Sequence, residues 1–136
     1  VGTALGEVPG VHALTDVTGF GLLGHLLEMC EGSDLNATIE FANVPVIPES
    51  RTYLQQGCYA DGALRNWKSY AAKVSGASAL ERMMMLSDPQ TSGGLLIAVD
   101  QASLDHVQEI LEKAAVPSSI IGSLHAHDGG ARVQVD

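Results

Sequence analysis

The chain has 136 residues, 46% of them apolar and 17% charged, which is the size and make-up of one globular domain with material for a real core. Sixteen acidic residues against seven basic ones give a net charge of −9, which excludes a broad nucleic-acid or anionic-membrane surface but allows a small anion that arrives with its own metal ion. No apolar run approaches the roughly 18–20 residues of a membrane-spanning helix. Cys30 and Cys58 form neither a C-x-x-C pair nor a disulfide framework, so a reducing cytoplasmic setting is expected and a structural zinc site is not. The sequence opens at Val1 without an initiator Met, so a processed chain or a piece of a longer protein is expected.

In chain order, residues 11–15 (VHALT) read as a short strand entered through the Pro9-Gly10 turn. From Gly21 the period becomes helical: Leu22, Leu23, Leu26, Leu27 and Cys30 form an apolar stripe, with His25, Glu28 and Glu31 assigned to the polar side. Gly32-Ser33-Asp34 ends that helix. Residues 36–41 alternate as a half-buried strand, and 49–56 form a short helix closed by Gly57. Residues 57–77 show no clear period and read as a long loop with a short strand near its end. Residues 79–86, with the core run Met83-Met84-Met85, are helical. Residues 87–94 are a loop, and 95–99 (LLIAV) a fully buried strand. Asp100 then caps a helix to about Ala114, with Leu104, Val107, Ile110 and Leu111 inward. Residues 118–124 and 131–135 close the chain as a hairpin across Asp128-Gly129-Gly130. Strands alternating with helices but ending in a hairpin predict a mixed α/β fold of one domain, residues 1–136.

Two glycine-rich stretches carry the candidate chemistry. The first, TDVTGFGLLG at residues 15–24, contains a literal G-x-G-x-x-G. A dinucleotide fingerprint needs an apolar strand running into its first glycine and no uncompensated acid beside the pyrophosphate. Here Thr15-Asp16-Val17-Thr18 precede Gly19, so that reading fails. An aspartate between threonines on a glycine turn instead suits Mg²⁺, which takes hard oxygen ligands and shares them with phosphates. The residues alone leave a second reading open, in which Asp16 and Thr18 merely cap the following helix. The second stretch, DPQTSGG at 88–94, precedes a strand and offers the hydroxyls of Thr91 and Ser92. Arg65-Asn66 is a pair able to grip an anion or simply to face solvent.

Taken together, TDVTGFGLLGHLLEM and, some 70 residues later, SDPQTSGGLLIAV resemble the C-terminal half of the selenophosphate synthetase (selenide, water dikinase) family. Gly62, Arg65 and Asn66 resemble that family's glycine-then-Arg-Asn loop. The resemblance spans essentially the whole chain. It implies a layered α/β/α sandwich around a mixed sheet, of the C-terminal type in the wider aminoimidazole ribonucleotide synthetase-like superfamily. It implies an enzyme converting selenide, ATP and water to selenophosphate, AMP and phosphate. Asp16 would be a Mg²⁺ ligand, with Thr15, Thr18, Gly19, Gly21, Arg65, Asn66, Thr91 and Ser92 near the phosphates. The partners implied are an N-terminal domain holding the nucleophile and most metal ligands, and a second copy in a homodimer. No catalytic residue is expected in these 136 residues, neither Cys30 nor Cys58 matching the family nucleophile, and the isolated domain is expected to be inactive. A half of another superfamily member, of the hydrogenase maturation or thiamine-phosphate kinase type, and a non-catalytic binding module are the alternatives.

Overall fold

The computed structural model describes all residues from Val1 to Asp136. It has helices α1 (Gly2–Gly6), α2 (Gly21–Ser33), α3 (Pro48–Gln55), α4 (Asp61–Tyr70), α5 (Leu80–Leu86) and α6 (Leu104–Lys113). Its strands are β1 (Val11–Asp16), β2 (Leu35–Ile39), β3 (Val74–Ser75), β4 (Leu95–Val99), β5 (Gly122–Ala126) and β6 (Val133–Val135). The mixed α/β class is as expected. The strands divide between an antiparallel ribbon, β1–β4, and a four-stranded mixed sheet in the order β3-β6-β2-β5. No helix is long and apolar enough to cross a membrane.

Three apolar clusters hold these pieces together. The largest joins α2, through Leu23, Leu26, Leu27 and Cys30, to Ala37, Ile39, Val133 and Val135 of the mixed sheet, and takes in Val17 and Leu96 at the edge of the ribbon. A second packs Leu5 and Val8 with Val107 and Leu111 of α6 against the ribbon's other face, where Leu14 and Ile97 lie. A third gathers Leu54, Ala63 and Met84 from α3, α4 and α5, flanked by Met83 and Met85. The ribbon therefore lies between α1/α6 and the main core. Removal of apolar surface from water in these clusters is the dominant favourable term in folding.

Four expectations need correction. Residues 57–77 are mostly helix: α4 occupies Asp61–Tyr70, a single 3-10 turn follows at Ala71–Lys73, and only then comes the short strand β3. Its inward side is Ala63, Trp67 and Tyr70, a helical spacing diluted by the half-buried Gly62 and Asn66 and by Asp61, Arg65, Lys68 and Ser69 on the exposed side. β4 is not fully buried, since Leu95 is exposed and Ile97, Ala98 and Val99 are half-buried. A two-stranded ribbon leaves both of its edges without a neighbour, so its residues cannot be enclosed as those of a central strand are. His25 is not on a polar face; α2 is covered on more than one side, and His25 is only 7% exposed.

The fourth is the closing hairpin, which does not form. β5 and β6 flank β2 on opposite sides, β5 antiparallel and β6 parallel to it. β2 is the apolar strand of the three, with Ala37 and Ile39 both buried, and it takes the central place. Residues 127–132 carry the chain over the end of β2, and the Gly129 turn, at φ +86°, is bolted there. Asn36 Nδ2 donates to Asp128 Oδ1 at 2.8 Å, and Asn36 Oδ1 lies 2.8 Å from His127 Nδ1. The Gly130 backbone N–H, foremost among its neighbours, holds the Asp128 carboxyl below the usual carboxylate range. Asp-Gly-Gly is thus a true turn that joins non-adjacent strands.

The register of α2 gives a direct test. Leu23 is fully buried, whereas Leu22 only packs against the edge of the core. Leu23→Ala should cost about 2–5 kcal/mol in denaturant melts and Leu22→Ala less than half as much. Equal losses would show that the helix is rotated from this register.

Candidate functional site

The two glycine-rich stretches, about 70 residues apart in sequence, meet in space. β1 and β4 pair so that Asp16 faces Leu95 and Thr15 faces Leu96. The ladder then runs one step further, with Val17 N donating to Gly94 O at 2.9 Å. Beyond it the carbonyl of Thr18 accepts from both Gly21 N, at 3.1 Å, and Gln90 N, at 3.0 Å. One oxygen therefore closes the turn that starts α2 and ties that turn to the 87–94 loop.

Two glycines make this approach feasible. Gly21 has φ +71°, and a Cβ there would stand 2.7 Å from the carbonyl carbon of Ser87. Gly93 sits against the carbonyl oxygen of Val17 with no room for a side chain. Both conformational and steric demands thus fall on glycine. Gly19 is unlike them: it is exposed, and a Cβ there would meet nothing within 4 Å.

Asn66 locks the junction from a third direction. Its Nδ2 donates to Gly19 O at 2.8 Å and to Ser87 O at 3.0 Å, bridging the two stretches. Tyr70, one helical turn on, donates its hydroxyl to Phe20 O at 3.2 Å. Burial raises the Tyr70 phenol above its usual range, with the neighbouring Ser87 side chain acting in the opposite sense. Asn66 and Arg65 lie on α4 rather than on a loop, so the helix points only one of them inward. Arg65 is exposed and makes no hydrogen bond or ion pair with the rest of the chain, although Asn66 beside it makes two bonds.

The expected ligand-facing groups divide in the same way. Asp16 is exposed at the end of β1, and its carboxylate makes no hydrogen bond within the chain. It does not cap α2, which begins after Phe20 with no capping side chain at all. Thr18 does not cap it either: its hydroxyl lies 3.1 Å from His25 Nε2. Thr15 Oγ1 reaches only the adjacent Asp16 carbonyl. Thr91 and Ser92 are exposed on the 87–94 loop. Asp16, Gly19, Arg65, Thr91 and Ser92 are therefore each exposed, while the junction itself is held by the Thr18 carbonyl, Asn66 and Gln90.

For Mg²⁺, this donor set is a partial fit. Asp16 is a free hard-oxygen ligand of the kind the ion takes, yet nowhere do three His, Cys, Asp or Glu side chains gather to hold a metal. The chain can contribute one carboxylate; the rest of an octahedron has to come from elsewhere.

Sequence reasoning overlooked Asp88 and Gln90, although both lie in the DPQTSGG stretch. Gln90 Nε2 donates to Asp88 Oδ2 at 2.6 Å. Burial raises the Asp88 carboxyl above its usual 3.8, with the Gln90 bond working against that rise. Asp88 also borders a cavity of about 210 Å³ between α3 and α5, lined by Tyr53, Leu54, Cys58, Met84 and Met85 among others. That volume is below the roughly 300–1,000 Å³ of ordinary small-molecule sites. His25 and Glu28 were assigned to the polar side of α2 and given no role; the i, i+3 spacing that stacks them on one helix face was the signal.

The chain matches the family model described as AIR synthase related protein, C-terminal domain, over residues 2–134. It is similar to the protein named selenide, water dikinase of Aeromonas salmonicida (strain A449), with 48% identity over 99% of this chain and 39% of the relative. The protein of the same name from Aeromonas hydrophila subsp. hydrophila is 47% identical over 99% of this chain and 39% of its own length. For the one from Photorhabdus laumondii subsp. laumondii the values are 45%, 96% and 37%. The chain thus spans about 39% of the length of the first of these curated relatives.

Two outcomes test the junction. Asn66→Ala removes the donor to the exposed Gly19 carbonyl and to the carbonyl of buried Ser87 and should cost about 1–3 kcal/mol, and amide hydrogen exchange should rise at 18–21 and 87–90 together. A rise in only one segment would mean that Asn66 does not couple them. For Asp88, a folded-state pKa above the unfolded value means that ionisation opposes folding, so its contribution is lost as pH rises through the raised pKa. Asp88→Asn should therefore gain stability relative to the parent above about pH 4, and an unchanged difference across pH would contradict the burial of that carboxyl.

Proposed function

The chain belongs to the AIR synthase related protein family, as its C-terminal domain, and we propose that it is the C-terminal domain of an ATP-dependent selenophosphate synthetase. The reaction is selenide, ATP and water to selenophosphate, AMP and phosphate. The identity of 45–48% to proteins named selenide, water dikinase over nearly the whole chain supports that reading over another member of the superfamily. The single structural observation that carries it is Asp16, a free exposed carboxylate standing beside a turn locked by both motifs.

In this reading Asp16 is the chain's metal ligand in a Mg²⁺–ATP site. The chemistry Mg²⁺ supplies when bound is charge neutralisation along the triphosphate, which phosphoryl transfer needs more than covalent help. The chain's own residues do the positioning. The Thr18 carbonyl and Asn66 hold the turn, Gly19 leaves open space, and Arg65, Thr91 and Ser92 present a cation and two hydroxyls on the accessible side. The nucleophile and the other metal ligands belong to an N-terminal domain, and the whole enzyme works in the cytoplasm as a homodimer. The isolated domain is inactive alone, since it brings one carboxylate and no nucleophile. Closure of the two domains over ATP would complete the metal site only when substrate is present. The 45–48% identity to proteins named selenide, water dikinase favours an enzyme domain over a non-catalytic module.

Asp16→Asn in the full-length enzyme tests this reading. Selenide-dependent AMP formation should fall by about a hundredfold or more, the scale of losing a preorganised charge contact. The Mg²⁺ concentration needed for ATP binding should rise, and the melting temperature should not change. Full activity with a lowered melting temperature would make Asp16 a structural residue and end the proposal.

A further inference from the structure

The first helical turns of α2 contain a side-chain arrangement that the fold alone does not require. His25 is 7% exposed, with its Nε2 3.1 Å from Thr18 Oγ1 and its Nδ1 3.2 Å from Glu28 Oε2. The Nδ1–Glu28 contact is off the angle of a good hydrogen bond, and Nδ1 is otherwise a buried nitrogen with no partner. Phe20 covers the ring, with centroids 5.7 Å apart. Carboxylate, imidazole and hydroxyl stand in a row, ending on a half-buried threonine two residues from Asp16.

A neutral imidazole has one N–H donor and one acceptor nitrogen, and its surroundings choose between them. The negative Glu28 carboxylate beside Nδ1 favours the proton there. Nε2 is then the acceptor, and the Thr18 hydroxyl must donate its only proton inward. Its oxygen lone pairs are left for whatever approaches from the open side. Had the proton been on Nε2, Thr18 would accept from the ring and be free to donate to a phosphate oxygen.

We infer that His25 and Glu28 are positioning residues that fix Thr18 Oγ1 as a hydrogen-bond acceptor at the MgATP site. Thr18 is thereby suited to a proton-bearing group of the hydrated nucleotide complex and not to a bare phosphate oxygen. The role rests on the MgATP reading of this site, while the tautomer that underlies it does not.

Nitrogen-15 NMR of histidine-labelled full-length protein tests it, with the His25 signals assigned by their loss in His25→Gln. The expected spectrum shows the proton on Nδ1, with and without MgATP, and a shift of the population towards Nε2 in Glu28→Leu. Glu28 is 63% exposed in its side chain, so that variant should fold. In MgATP titrations Thr18→Val and His25→Leu should weaken binding about tenfold, the loss of one hydrogen bond near a charged ligand. Thr18→Ser and His25→Gln should stay within about threefold of the parent, a rescue that lost packing alone would not give. A proton on Nε2 in the parent, or no response to Glu28→Leu, overturns the inference. So does equal binding by Thr18→Val and the parent. Absence of any MgATP binding by the parent would instead overturn the functional reading, leaving the tautomer result standing.

Discussion

The carbonyl oxygen of Thr18 is the point on which the site depends. It accepts from Gly21 at the start of α2 and from Gln90 on a distant loop, so the entry to the helix and the loop before β4 cannot move separately. Each bond is worth only about 1 kcal/mol net. Their joint effect is larger, because the Val17–Gly94 bond and the two Asn66 bonds close the same ring of backbone. The groups left accessible are then those with no place in the ring: the Asp16 carboxylate, the Gly19 N–H, and the Thr91 and Ser92 hydroxyls. A rigid inner side and an unencumbered outer side are what a charged ligand needs, since polar groups held in place need not reorganise when charge arrives.

Much of this fold was readable wherever period and punctuation agreed. The apolar stripe of α2, the short helix α3, the methionine run of α5 and the inward set of α6 all lie where the sequence pattern placed them. α4 was missed because its inward side is made of Ala63, Trp67 and Tyr70, which do not look like a hydrophobic run, and its other residues look like a loop. The hairpin was over-read because Asp-Gly-Gly reports a local turn and says nothing of whether a third strand lies between the arms. That choice is made by Ala37 and Ile39, far away in sequence. Burial of His25 was equally hidden, since it depends on what covers α2 and not on α2 itself.

The site itself was legible as two motifs and illegible as a geometry. Asp16 and its threonines stood out by composition, and a family resemblance supplied a role for them. The division of labour among the other residues came only from the structure. Asn66 is a bridge and not an anion grip, the adjacent Arg65 is free, and Gly21 and Gly93 serve backbone contact while Gly19 does not. Residue types specify which bonds are available, and the tertiary fold decides which are already used.

The placement of β2 between β5 and β6 has a bearing on how the chain acquires its shape. Asn36 and Asp128, which pin the crossing, are 92 residues apart, and every partner of β2 comes from the final stretch of the chain. Contacts of such long range make for slow folding, because loop closure precedes any gain from pairing. On the ribosome, the part of α2 that packs on Val133 and Val135 stays without that cover until β6 has been made, at a synthesis rate of about 5–20 residues per second. The helix that begins at the candidate site thus depends, for part of its cover, on a strand made long after it.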